Sequence, residues 1–194
     1  MALVDRVKNI LLTPKTEWEV IDTEPATVAG LYKGYIIPLA AIGPVAQAIG
    51  SVVFGYTLPF LGTYRTPVGS AITGAIVTYV LTLAMVYALA LIIDALAPTF
   101  NGTRNQLQAL KVAAYSMTAS WVAGIFAIVP MLGILGILGL YSLYLLYLGL
   151  PVLMKSPKEK ALAYTAVVIV AGIVLFMLIG FVAASFMRAP VPTS

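Results

Sequence analysis

The chain has 194 residues, of which 61% are hydrophobic and only 9% are charged, with a formal net charge of +4. A soluble domain carries about 25% charged residues, so this composition excludes a water-solvated globular fold and indicates an integral membrane protein. The chain has no Cys and no His, which excludes disulfides, thiol and imidazole chemistry and the usual zinc sites. The basic residues stand at the edges of apolar runs, so they indicate membrane topology and lipid contacts, not nucleic-acid binding.

Residues 1–35 are expected to form an N-terminal cytoplasmic or interfacial amphipathic segment. Its first apolar residues recur at helical spacing, at Leu3, Val4, Val7, Ile10 and Leu11. This pattern predicts a short amphipathic helix on the bilayer surface. A second short helix is expected to begin at Pro14, with Trp18 as an interfacial anchor.

Five apolar stretches follow, each long enough to cross a bilayer as a helix of about 20 residues. They cover about 36–56, 69–96, 109–129, 133–153 and 162–186. We therefore predict an all-α polytopic membrane protein, with a five-helix transmembrane domain over 36–187 and an extracytoplasmic tail over 188–194. Residues 112–154 contain no charged side chain in 43 positions, so we expect a helical hairpin that turns at Pro130–Gly133.

Glycines and prolines predict local features of two spans. Pro38, Gly43, Pro44 and Gly50 predict a kinked first span, because proline and glycine interrupt the helical hydrogen bonds. The fourth span has glycines at a spacing of three, namely Gly133, Gly136 and Gly139. Such a narrow face allows close helix packing, and it predicts a homo-oligomer.

The distribution of basic residues predicts the orientation. Nine would lie on the side of the N-terminus: Arg6, Lys8, Lys15, Lys33, Arg104, Lys111, Lys155, Lys158 and Lys160. Only Arg65 and Arg188 would lie on the other side. We therefore expect a cytoplasmic N-terminus and an extracytoplasmic C-terminus, in the inner membrane of a bacterium.

Two groups of polar residues are candidates for function. Asp94 is the one acidic residue inside an expected span, so it is either a proton or ion site or a structural group that reaches water or pairs with Arg104 or Lys111. The structural interpretation is favoured because Pro98 places Asp94 near the cytoplasmic end of its span. Lys155, Lys158 and Lys160 form a basic cluster that is expected to face lipid headgroups or a cytoplasmic protein partner.

Several motifs are similar to those of the Yip1 family. They are residues 10–14 (ILLTP), 17–18 (EW), 34–38 (GYIIP), 113–116 (AAYS), Trp121, 141–154 (YSLYLLYLGLPVLM) and 156–164 (SPKEKALAY). The chain resembles bacterial members of that family over about 8–185. The resemblance implies five transmembrane helices with a cytoplasmic N-terminus, and it brings no catalytic residues. Eukaryotic relatives are linked to Rab GTPases and vesicle traffic.

The predicted function is that of a non-enzymatic membrane scaffold or adaptor, which engages lipids or partner proteins through its surface helices and basic cytoplasmic loops. No nucleophile–base pair, phosphate-binding loop or metal cluster is recognisable, so no catalytic residue, metal or cofactor is expected. The alternative is a small-solute or ion channel or transporter with a cavity near Asp94.

Overall fold

Two short helices precede the membrane-spanning part of the chain. The computed structural model describes residues 2–58, 62–186 and 191–192, so most of the expected tail, including Arg188, lies outside the described residues. Helix α1 spans Leu3–Leu12 and helix α2 spans Pro14–Thr23. Pro14 occupies the first turn of α2, where its missing N–H leaves no hydrogen bond unmade. The two helices form a hairpin.

Among the described residues, five helical segments are long and apolar enough to cross a membrane, which confirms the predicted all-α, multi-pass fold. They are Val28–Val53, Val68–Phe100, Gln106–Ile128, Pro130–Leu153 and Lys158–Ser185. We call them the first to the fifth span. Many of their apolar side chains point outward, such as Val170, Phe176 and Phe181 of the fifth span, which are 61%, 68% and 76% exposed. Such surfaces are stable against lipid and unstable against water.

The first span is interrupted, as its prolines and glycines predict. It consists of α3 (Val28–Leu31), a π-helical segment (Tyr32–Ile36), α4 (Ile37–Ala40) and α5 (Ile42–Val53), with a break at Ala41. The second span is continuous, with α6 (Val68–Leu96) and a 3-10 turn (Ala97–Phe100). Helical structure in the first span thus begins at Val28, before the expected position 36.

The third and fourth spans form a hairpin that turns at Val129, whose backbone is extended. The third span consists of α7 (Gln106–Ser116), α8 (Thr118–Ala123) and a 3-10 segment (Gly124–Ile128). The fourth consists of a 3-10 helix (Pro130–Leu140) and α9 (Tyr141–Leu153). Its glycine spacing of three matches the three residues per turn of a 3-10 helix, so the glycines align along one edge.

The fifth span begins with a 3-10 turn (Lys158–Lys160) and continues as α10 (Ala161–Phe186). At one end of the bundle, β1 (Tyr56–Leu58) pairs antiparallel with β2 (Gly62–Arg65), and β2 pairs with β3 (Val191–Pro192). At the other end, the Thr103 N–H donates to the Met154 carbonyl at 2.7 Å. The connections after the second and fourth spans therefore meet.

The third span is the centre of the core. Every residue from Ala109 to Ser116 is buried, and the alanines among them let neighbouring helices approach closely. The second and fourth spans pack against α7, and α2 packs along α9. The fifth span packs on the outside, against the second and fourth spans. The N-terminal helices therefore pack against the membrane-spanning helices and belong to the core of the protein.

Candidate functional site

A buried arginine joins α1 to both ends of α2. The guanidinium of Arg6 donates to Glu17 Oε1 at 2.5 Å and also forms an ion pair with Glu24. The Arg6 and Glu17 side chains are only 5% and 6% exposed, whereas that of Glu24 is 38% exposed. Arg6 also lies over the Tyr115 ring, 5.6 Å from its centroid. Because a buried charge is stable only when paired, this cluster fixes the hairpin against the third span.

Lys111 holds the C-terminal end of α2. Its ammonium group donates to the carbonyl oxygens of Ile21 at 2.8 Å and Glu24 at 2.7 Å. The last carbonyls of a helix lack partners within it, and a cation there also offsets the negative end of the helix dipole. The neighbouring Gln108 donates to the Asp22 carbonyl at 3.0 Å. Lys111 is therefore a buried helix cap and not a partner of Asp94.

A cavity of about 460 Å³ with both apolar and charged residues in its lining opens beside this cluster, between α1, the start of the first span and the third span. Its lining includes Arg6, Glu24, Lys111, Tyr35 and Tyr115. The hydroxyl groups of Tyr35 and Thr118 share a hydrogen bond of 2.6 Å, and the Tyr35 and Tyr115 rings meet edge to face at 4.6 Å. Tyr35 lies in the π-helical segment, a distortion that is frequent at functional sites.

Asp94 lies away from this cavity. It is half-buried near the end of α6, and its Oδ1 has no hydrogen-bond partner among the residues that the structure describes. The Tyr164 hydroxyl donates to the adjacent Ile93 carbonyl. Arg104 is exposed and forms no ion pair within the described ranges. The structure therefore does not bring Asp94, Arg104 and Lys111 together.

The structure corrects the prediction that Trp18 is an interfacial anchor. The residue is 0% exposed and packs between α2 and the fourth span, edge to face with Tyr115 at 6.3 Å. Gly149 makes room for it, since a Cβ atom there would lie 2.7 Å from Trp18 Cζ2. The indole therefore anchors α2 to the protein core and not to the membrane interface. The sequence pattern could not distinguish the two, because both place an aromatic residue on the apolar stripe.

The basic cluster lies where the fourth span meets the fifth. Lys155 donates to Asp22 Oδ2 at 2.5 Å, which ties this connection to α2. Lys158 is exposed and Lys160 is half-buried. The three lysines therefore differ in their roles, because Lys155 forms an ion pair that stabilises the packing of α2.

The three glycines of the fourth span, Gly133, Gly136 and Gly139, differ in their contacts within the chain. A Cβ atom at Gly139 would lie 3.3 Å from Ser120 Cα, so Gly139 allows the third and fourth spans to approach. Gly133 and Gly136 have no neighbouring atom within 4 Å of the corresponding position. Their outer edge is open to lipid or to a second protein.

Sequence reasoning missed the central residues of the cluster, namely Arg6, Glu17, Glu24, Tyr35 and Tyr115. One signal was present: five of the seven acidic residues lie within the first 24 positions. Acidic side chains beside a membrane domain need partners, and Lys111 and Lys155 were available.

The ion pairs Arg6–Glu17 and Lys155–Asp22 balance their charges, and the Glu24 carboxylate forms a further ion pair with Arg6. In the part of the chain that the structure describes, no group of three or more acidic side chains could hold a metal ion. The arrangement is suited to holding two helices in place.

Comparison with known proteins gives one match. A family model described as the Yip1 domain matches residues 8–179, which include the second half of α1, all of α2 and all but the end of the fifth span. No curated protein and no solved structure matches the chain.

Proposed function

The chain belongs to the Yip1 family, and from this premise we propose that it acts as a non-enzymatic scaffold or adaptor in the membrane. In this proposal, the end of the bundle that carries α1, α2, the connection at 154–157 and the start of the fifth span engages lipids or a protein partner. The other end, with the small β-sheet, has no such role.

The fixed geometry of the N-terminal hairpin is the observation that carries this proposal. Arg6, Glu17, Glu24 and Lys111 are used in internal contacts that hold α1 and α2 against the third span. A surface that is held rigid loses little conformational entropy when it binds, which favours recognition. The exposed lysines of the same end, such as Lys8 and Lys158, remain available for contacts with other molecules.

The proposed orientation places this end in the cytoplasm of a bacterium, with the protein in the inner membrane. The basic residues support it, since nine of eleven would then face the cytoplasm. Five spans also require the two termini to lie on opposite sides. Compartment-sensitive reporters fused to each terminus test this orientation, and signals from the same compartment would contradict it.

Site-specific photo-cross-linking tests the scaffold role. A photoreactive residue replaces Lys8, which is exposed on α1, and a control carries it at Arg65, which is exposed on β2 at the opposite end. We expect protein adducts in living cells from position 8, each formed with a defined partner, and none of these from position 65. Identical adducts from both positions, or none from position 8, would refute a scaffold role through a protein partner at this end.

A second candidate function is transport of a small solute or ion, and one observation favours it. Asp94 Oδ1 is buried without a partner among the described residues, and such groups inside membranes mark ion pathways. Flux into vesicles that contain the purified protein separates the two functions. A scaffold gives no flux in either the wild type or Asp94→Asn, whereas a carrier gives flux that the substitution abolishes.

A further inference from the structure

A second cavity, of about 780 Å³, lies between α2, the inner half of the fourth span and the start of the fifth span. We call it the lysine groove. Three lysines line it, each from a different element: Lys15 from α2, Lys155 from the connection at 154–157 and Lys158 from the 3-10 turn. Glu19 is the acidic residue in its lining. Lys15 and Lys158 form no ion pair within the described ranges, so the groove keeps an excess of positive charge.

The lining also contains a buried hydroxyl group, that of Ser156. Ser156 is 5% exposed, and its Oγ makes no hydrogen bond to any residue that the structure describes. Its position before Pro157 is typical of a helix cap, yet it caps nothing. Burying a hydroxyl group without a partner is unfavourable, so a ligand oxygen that accepts a hydrogen bond from Oγ would remove this cost. Trp18 Nε1, in the same lining, is a second buried donor without a partner in the described part of the chain.

The exposed side chains along the fourth span change from aliphatic residues to tyrosines as the span approaches the groove. This change matches the transition from the hydrocarbon to the headgroup region of a bilayer. The outer part of this span exposes Ile134 and Ile137, which are 79% and 64% exposed. Tyr144 and Tyr147 come next and line the groove, 41% and 38% exposed. Tyrosines concentrate at membrane interfaces, where one end of the ring is apolar and the other is hydrated. Helical rise gives about 16 Å from Tyr144 to Lys155, enough for a headgroup and the first acyl carbons.

We propose that the lysine groove binds one anionic phospholipid, with its phosphate between Lys15, Lys158 and Ser156 and its acyl chains along Leu148, Pro151 and Val152. The positive charge of the lysines favours an anion, and the two buried donors favour a headgroup with several oxygen atoms. The apolar wall favours a lipid over free phosphate. Basic pockets between transmembrane helices on the cytoplasmic side recognise anionic headgroups in this way. This lipid site would be the place where the proposed scaffold contacts the membrane lipids, so the inference rests on that proposed function.

Trp18 provides a direct measurement, since it lines the groove and the chain has only two tryptophans. Replacing the other one by Trp121→Phe leaves Trp18 as the single tryptophan, whose emission is excited selectively over that of the tyrosines. The full chain is placed in phosphatidylcholine nanodiscs that contain increasing amounts of brominated phosphatidylglycerol or brominated phosphatidylcholine. We expect half-maximal quenching of Trp18 at about tenfold lower mole fraction of the anionic lipid.

Matched variants locate the binding. Lys15→Gln/Lys158→Gln removes two charges that line the groove, and Lys8→Gln/Lys160→Gln removes two that do not line it. We expect the first pair to abolish the preference for phosphatidylglycerol and the second pair to retain most of it. Ser156→Ala is expected to weaken the preference about threefold, since it removes one hydrogen bond.

Three outcomes would overturn the proposal: equal quenching by the two lipids in the Trp121→Phe protein, an unchanged preference in Lys15→Gln/Lys158→Gln, or displacement of the lipid by inorganic phosphate. The first comparison needs no groove variant, so poor folding of a variant leaves the test intact. Protein adducts at position 8 together with equal quenching would refute the lipid site alone and leave the scaffold role standing.

Discussion

The buried pair of Arg6 and Glu17 yields the sharpest prediction on how the N-terminal hairpin is held. The substitution Arg6→Met keeps much of the side-chain volume and removes the cation. Glu17, whose side chain is 6% exposed, then remains buried without its partner, whereas Glu24, at 38%, can turn to solvent. The perturbation therefore acts mainly through Glu17.

The magnitude follows from this burial. Removing one member of a buried ion pair destabilises a protein by about 3–5 kcal/mol, because the other charge stays uncompensated. The lost contact between Arg6 and the Tyr115 ring acts in the same direction. We therefore expect the free energy that holds α1 and α2 against the spans to fall by about 3–5 kcal/mol.

Labelling of a buried cysteine measures this free energy. The chain has no Cys, so Ile21→Cys, at a position that is 0% exposed in α2, introduces a single reporter. A water-soluble maleimide reacts with it only when the hairpin opens. In that background, Arg6→Met should raise the labelling rate about 100- to 4,000-fold, at 1.4 kcal/mol for each factor of ten. Lys8→Met, which removes an exposed cation from the same helix, should change it less than about fivefold.

The double variant Arg6→Met/Glu17→Met decides between charge pairing and simple packing. With both charges removed, most of the lost free energy should return, because apolar side chains replace the buried pair. The reasoning is refuted if Arg6→Met labels no faster than Lys8→Met, or if the double variant labels as fast as the single one.

Three further predictions concern other contacts. Gly149→Ala should lower the free energy of unfolding by about 1–3 kcal/mol, because its methyl group meets the Trp18 ring, and Gly133→Ala, at an open position, serves as the control in thermal unfolding in detergent. Lys111→Met should lower it by about 2–4 kcal/mol in the same assay, since the carbonyls of Ile21 and Glu24 lose a charged donor; an unchanged melting temperature would contradict the cap. The Gly133→Leu/Gly136→Leu variant should lose cross-linked dimers in native membranes and keep the melting temperature of the monomer, and persistence of the dimers would show that this edge is not the contact.

The site illustrates which features a sequence pattern can and cannot predict. The single acidic residue in a span, Asp94, attracts attention because a charge inside a membrane is rare. The structure instead gathers its buried charges at Arg6, Glu17 and Lys111, two of which precede every span. On a helical wheel Arg6 lies beside the apolar stripe of α1, where an exposed and a buried arginine look alike. Only the position of α2 and the third span decides between them.

The sequence by itself determined the number of spans, the interrupted first helix and the hairpin of the third and fourth spans. These features depend on local quantities: the length of an apolar run against the bilayer thickness, and the effect of proline and glycine on nearby hydrogen bonds. The tertiary structure alone decided that Trp18 is a core residue, that Lys111 caps α2 and that the lysines at 15, 155 and 158 share one groove. These contacts join residues as far as 133 positions apart, and their free energy exists only after the helices have packed and excluded water.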